Sequence, residues 1–368
     1  MFPALSSSAR VISPPGPPRR ITPNLFGISF GLAGLAQAWT EAGRLSPTPT
    51  AVADAFWLIA GAAWLITLAL YLRSIFTDGR TRTELADPTF GPFVAVPAIV
   101  GMLLAGGLEP VARGSAVVLY TASLTATLVL AGRLLAIWIL DGTPSTKWHP
   151  GYYLPSVGAP LVASAEAATL GYRSLAVVLF GFGVISWILI GAVLLAQLVG
   201  GQQLPRPLIP TMAILIAPPL VAGNAWFAID GGRVDRIALA LAGYAVLMAI
   251  VQLGLVPLYR TVPFGPGWWS YSFPAAALIA NAIAWLAAEH AQHQDAWIYL
   301  LLAVLTAFIG YLAARTAVAL GHRSLLPSPD LSTTATGPLP LSSRSCRTCR
   351  VRRSRPAGAR SRRAGSPR

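Results

Sequence analysis

Apolar runs long enough to cross a bilayer recur along this chain, each bounded by short stretches holding Arg, Asp, Gly or Pro. A hydrocarbon core takes about 20 apolar residues per helix. That window predicts spans near 24–40, 52–76, 90–108, 114–140, 151–170, 173–200, 207–229, 234–258, 268–288 and 295–320. The expected fold class is an all-α integral membrane protein of ten transmembrane helices, with both termini on one side. The even-numbered spans are unbroken Leu, Val and Ala runs such as 239–250, whereas each odd-numbered span carries Gly or Pro. The interrupted stretches are Phe26-Gly27-Ile28-Ser29-Phe30-Gly31, Gly91-Pro92-Phe93 to Pro97, Pro155 to Pro160, Pro218-Pro219 and Phe273-Pro274. Pro97 to Pro155 is 58 residues, Pro155 to Pro218 is 63 and Pro218 to Pro274 is 56, so one helical hairpin is repeated five times.

A proline inside a helix removes one backbone hydrogen bond and frees a carbonyl. In hydrocarbon, freed backbone groups survive only inside protein or beside a water-filled cavity. Five hairpins are therefore expected around a central pore, with kinked odd-numbered helices lining it and even-numbered helices facing lipid. The candidate pore-lining and kink residues are Phe26, Gly27, Phe30, Gly31, Pro97, Pro155, Pro218, Pro219 and Pro274.

Composition supports a bilayer as solvent: 55% of the 368 residues are hydrophobic and 11% are charged, against about 25% charged in soluble domains. The formal net charge of +14 is misleading as a nucleic-acid signal. Ten of the 27 Lys and Arg lie after position 343, leaving 17 against 13 acids in the body. The domain reading is a cytoplasmic N-terminal segment 1–22, a transmembrane domain 23–322 and a disordered, Arg-rich tail 323–368 with no specific nucleic-acid partner. Loops on the side of the termini carry Arg73, Arg80, Arg82, Lys147, Arg206, Arg260 and Arg315, which predicts cytoplasmic termini. No small-residue cleavage site follows a short apolar core, so the first helix is expected to stay.

The middles of the odd spans hold no ionisable residue, and Glu166 falls near the outer end of the fifth. Arg133, on the fourth span, either snorkels to the interface or holds anions near the pore entrance. Helix N-termini carry partial positive charge that attracts anions weakly, and weak binding suits rapid passage. Glu289, His290, His293 and Asp295 read as a solvated loop, and Cys346 and Cys349 are half a zinc site without a second pair. The chain is accordingly read as no enzyme, with no metal and no cofactor; its partners are small anions and membrane lipid.

Two segments carry a family resemblance: Trp268-Trp269-Ser270-Tyr271-Ser272-Phe273-Pro274 and Pro23-Asn24-Leu25-Phe26-Gly27-Ile28-Ser29-Phe30-Gly31. They resemble the tellurite-resistance and dicarboxylate-transporter family, to which the plant slow anion channels belong. The resemblance implies a homotrimer in the cell membrane, each protomer enclosing its own pore. It also implies that a phenylalanine of the ninth-span motif, here Phe273, plugs that pore as a gate. Relatives move chloride and nitrate, malate and related dicarboxylates, or sulfite. The uncharged lining ranks passive passage of small monovalent anions first, with a proton-coupled dicarboxylate carrier, or sulfite- and tellurite-related export, as the alternative.

Overall fold

The computed structural model describes residues 21–322 apart from 79, 80, 141, 143, 145 and 146. The readings made on residues 1–20 and on the tail from 323, including Cys346 and Cys349, lie outside the described residues. The helices are α1 (Gly27–Leu45), α2 (Thr50–Asp78), α3 (Thr81–Ala86), α4 (Val96–Leu140), α5 (Ala159–Thr169), α6 (Arg173–Val199), α7 (Ala217–Asp230), α8 (Arg236–Tyr259), α9 (Ser272–Ala288) and α10 (Gln294–Gly321). No strand occurs among the described residues, and seven helical segments are long and apolar enough to cross a membrane.

Two features depart from the sequence expectation. The short helix α3 was not foreseen, and the third and fourth spans form one run, α4. That run bends at Ala112, whose φ of −148° and ψ of 69° are non-helical. Pro110 lies inside the run and bars a regular turn. Glu109 and Arg113 pair across the bend at 2.5 Å, and Arg113 Nη2 also donates to the Leu170 carbonyl at 2.8 Å, tying the bend to the end of α5.

The odd-numbered spans are composite rather than kinked. Each begins as a 3-10 or π-helical segment and continues as an α-helix. The leaders are 3-10 turns at Pro23–Phe26, Gly91–Ala95, Arg206–Ile216 and Pro266–Tyr271, and a π-turn at Leu154–Gly158. Pro97, Pro160, Pro218, Pro219 and Pro274 then fall in the first turn of the α-helix that follows. There a missing N–H leaves no α-helical bond unmade. The first N–H groups of the α-helices are bonded back into the leaders: Val96 N–H to the Phe93 carbonyl, Ala217 to Ile214 and Ser272 to Trp269.

Around one axis, α1 packs on α4, α4 on α5, α5 on α7, α7 on α9 and α9 on α1, so five helices close a ring. Of the most apolar stretch of each span, 78% is buried in Arg206–Asp230 but only 11% in α2 and in α8. Leu58, Ile66, Ile188, Leu253 and Val304, on α2, α6, α8 and α10, are large, apolar and exposed. An exposed apolar belt of this extent needs lipid or a protein partner to cover it.

The ring closes most tightly between α1 and α9. A Cβ on Gly27 would lie 3.1 Å from Trp269 Cβ, one on Gly34 would lie 2.8 Å from Ala276 Cβ, and one on Gly31 would overlap Ser272 Oγ. Glycines at these three positions let the backbones approach as small residues do in membrane helix pairs. Gly31→Leu is expected to cost about 1–3 kcal/mol by overpacking and to lower the melting temperature of the detergent-solubilised protein. Gly243→Leu, on α8 with open space around it, should leave that temperature nearly unchanged.

Candidate functional site

The five leaders bring the starts of the five ring helices to one cavity of about 50 Å3, room for a few water-sized molecules. Every residue lining it comes from an odd-numbered span. Asn24, Gly27 and Phe30 come from the first; Phe93 and Val96 from the third; Tyr153, Leu154 and Gly158 from the fifth. Ile214, Ala217, Pro218 and Val221 come from the seventh, and Trp269, Ser270, Phe273 and Pro274 from the ninth. None is charged. The polar groups available are few, chiefly those of Asn24, Tyr153 and Ser270, so the wall is mostly apolar.

Phe273 is buried in the first turn of α9, and its ring stacks on Phe30 of α1 with centroids 3.7 Å apart and planes 13° from parallel. The Gly34 backbone lies beneath: a Cβ there would be 3.2 Å from Phe273 Cδ2. The same glycine seam that brings α1 and α9 together therefore also backs the ring of Phe273. Trp269, one turn earlier, is held by its indole N–H donating to Thr316 Oγ1 of α10 at 3.0 Å.

Of the residues singled out in the sequence, Gly27, Phe30, Pro218, Phe273 and Pro274 line the cavity. Phe26 is fully buried but turns outward, edge-on to Tyr71 of α2 at 5.6 Å. Gly31 serves the α1–α9 contact, and Pro155 lies in the π-turn. Pro97 and Pro219 lie in the first turns of α4 and α7 without lining the cavity, and the Pro97 carbonyl accepts from the Trp64 indole at 2.9 Å. Arg133 is exposed on α4 and not among the lining residues.

Sequence reasoning missed a polar layer beyond the cavity. Glu166 of α5, read as marking the outer end of its span, is only 4% exposed, and Gln37 Nε2 of α1 donates to its Oε1 at 3.5 Å. Asn281 Nδ2 of α9 donates to Asn224 Oδ1 of α7 at 2.9 Å. The signal was present: Glu166, Asn224 and Asn281 each follow a proline of their own span, Pro160, Pro218 and Pro274, by 6, 6 and 7 residues.

His149, in the loop before the fifth span, was also missed. Its Nδ1 accepts the Gly151 N–H at 3.1 Å, its Nε2 faces the Pro88 carbonyl at 3.2 Å, and its ring stacks 5.8 Å from Phe93 of the cavity wall. Burial pushes its pKa down to about 4, outweighing the opposing backbone hydrogen bond to Pro88. Between that value and the ordinary 6.5 the unfolded chain binds the proton and the folded one does not, so stability present above pH 6.5 is lost as pH falls toward 4. The melting temperature should fall on acidification from pH 7 to 4.5, and His149→Asn, which keeps an acceptor for Gly151, should flatten that fall.

Comparison with known proteins adds the relatives. Residues 20–317 match the family described as voltage-dependent anion channel, SLAC1. A tellurite resistance protein TehA homolog of Haemophilus influenzae is 31% identical over 265 residues, 70% of this chain and 79% of that protein. The S-type anion channel SLAH4 of Arabidopsis thaliana is 26% identical over 322 residues, 85% of this chain and 87% of the relative. The guard cell S-type anion channel SLAC1 of the same plant is 25% identical over 263 residues, 68% of this chain and 47% of that protein.

Proposed function

Because the chain belongs to the voltage-dependent anion channel family, we propose that it is a gated membrane channel for small monovalent anions, chloride and nitrate first. The path runs through the ring of α1, α4, α5, α7 and α9, and Phe273 is its gate. The observation that carries this reading is the cavity: sixteen lining residues, all from the five odd-numbered spans and none charged, end at the stacked rings of Phe30 and Phe273.

An apolar constriction excludes water and so stops ions whose hydration it cannot replace. Opening needs the Phe273 ring to leave Phe30. Pro274 beside it has no N–H to donate to the leader, so the join of leader and α-helix at the start of α9 is where a small shift disrupts least. Weak attraction comes from five helix dipoles rather than from a fixed cation, which favours fast release over tight binding. The chain then crosses the cell membrane ten times, α4 crossing twice by its bend, with both termini cytoplasmic. It assembles as a homotrimer, one path per protomer. Arg133 belongs with the snorkelling reading, since it is exposed on α4.

A second reading, a proton-coupled carrier of malate or related four-carbon dicarboxylates, is favoured by one observation: the buried carboxyl of Glu166. Ionisable groups at membrane depth commonly mark proton relays. Export of sulfite or a tellurite-related oxyanion has no separate observation behind it.

The test is anion flux into liposomes holding the purified protein. Phe273→Ala is expected to raise chloride and nitrate flux on the order of tenfold over wild type, with malate passing poorly. Equal flux in the two proteins, with wild type moving malate only under a proton gradient, would replace the channel by the carrier.

A further inference from the structure

Glu166 is the one Asp or Glu with a buried side chain among the described residues. It lies seven residues into α5, about 10 Å along the helix from the cavity end. Its partner Gln37 is on α1, and α1 and α5 are not neighbours in the ring, since α4 stands between them. Glu166 packs against α4 at Gly106, where a Cβ would overlap Glu166 Oε2. Asn224 and Asn281 hold each other from the other side of the ring. Beyond the cavity, four of the five ring helices thus carry a polar side chain that bonds another ring helix, in two pairs, and the fifth carries a glycine against Glu166.

We infer that Glu166 is a second barrier in series with Phe273, electrostatic where Phe273 is steric. An anion reaching this layer is repelled by an ionised carboxylate and admitted when the carboxyl carries its proton. The inference rests on the channel reading. No ion pair reaches Glu166 among the described residues to cancel its charge, so an anion at contact feels it at low dielectric.

The charged and titratable groups around it are few. On α1, Glu41 and Arg44 lie further along the helix and pair with each other at 2.9 Å. On α4, Glu109 pairs with Arg113, Arg133 is exposed, and the Tyr120 hydroxyl donates to the Ala163 carbonyl at 2.8 Å. The ionised groups of α6 and α7 are Arg173 and Asp230, 3.7 Å apart, with Arg233 also on Asp230; α9 has none.

The experiment is chloride flux into liposomes holding the full chain, from pH 5 to 9, for wild type, Phe273→Ala, Glu166→Gln and the double variant. With the steric barrier removed, Phe273→Ala flux should rise on the order of tenfold on acidification, and the double variant should conduct at the high level throughout. The same pH profile in Phe273→Ala and the double variant overturns the inference, as does a flat profile in Phe273→Ala that still conducts. A Phe273→Ala protein with no flux above empty vesicles overturns the channel reading itself. Protons entering in fixed ratio with chloride, read by a trapped pH dye, overturn the barrier in favour of a carrier. Should Glu166→Gln fail to fold, judged by gel filtration, Phe273→Ala/Gly106→Ala serves instead. Its added methyl displaces the carboxyl from Gln37, so an altered pH profile supports the inference and an unaltered one contradicts it.

Discussion

The approach of α9 to α1 across Gly27, Gly31 and Gly34 is the contact that decides whether the ring exists. A side chain at Gly31 would meet Ser272 Oγ and one at Gly34 would meet Ala276 and Phe273, so the ring of five helices closes only because these three positions are bare. Closing the ring stacks Phe273 on Phe30 at 3.7 Å. Packing between membrane helices has little hydrophobic drive of its own, and close backbone approach is where this chain gains it.

A second constraint explains the leaders. A path through the bilayer needs backbone that departs from the α-helix, yet every N–H and C=O at that depth needs a partner. Leaders that pass into α-helices meet both demands, because the junction N–H groups of α4, α7 and α9 bond to carbonyls of their own leaders. The result is a cavity lined from five helix starts with few polar side chains. Beyond it, where the α-helices are regular, polar side chains pair between ring helices, Glu166 with Gln37 and Asn224 with Asn281.

Much of this was legible in the sequence. The apolar runs marked an all-helical membrane protein, and every residue lining the cavity comes from a Pro- or Gly-bearing span, because hydrocarbon penalises both an exposed backbone and a buried charge. The prolines were misread in one respect. Their spacing gave the period of the repeat, but a proline in an apolar run looks the same whether it bends a helix or starts one, and Pro97, Pro218 and Pro274 start theirs. The join of the third and fourth spans was hidden because Glu109 and Arg113 look like loop residues although they pair across a bend. Glu166 was discounted because its distance from the end of the apolar run was visible and its rotation about the helix was not. Phe26 and Phe30 show the same limit: four residues apart in one motif, one turns to Tyr71 on the outer wall and the other to Phe273 inside.

If anions pass between Phe30 and Phe273, a bulky group attached at that point must stop them. The measurement is thiol block: Phe273→Cys in a chain with Cys346 and Cys349 replaced by Ser, reconstituted in liposomes and treated with a charged methanethiosulfonate during chloride flux. Flux through the F273C variant should be abolished by the reagent and restored by reducing agent, while the parent without cysteine is unaffected. Labelling at position 273 that leaves chloride flux unchanged would place the path elsewhere.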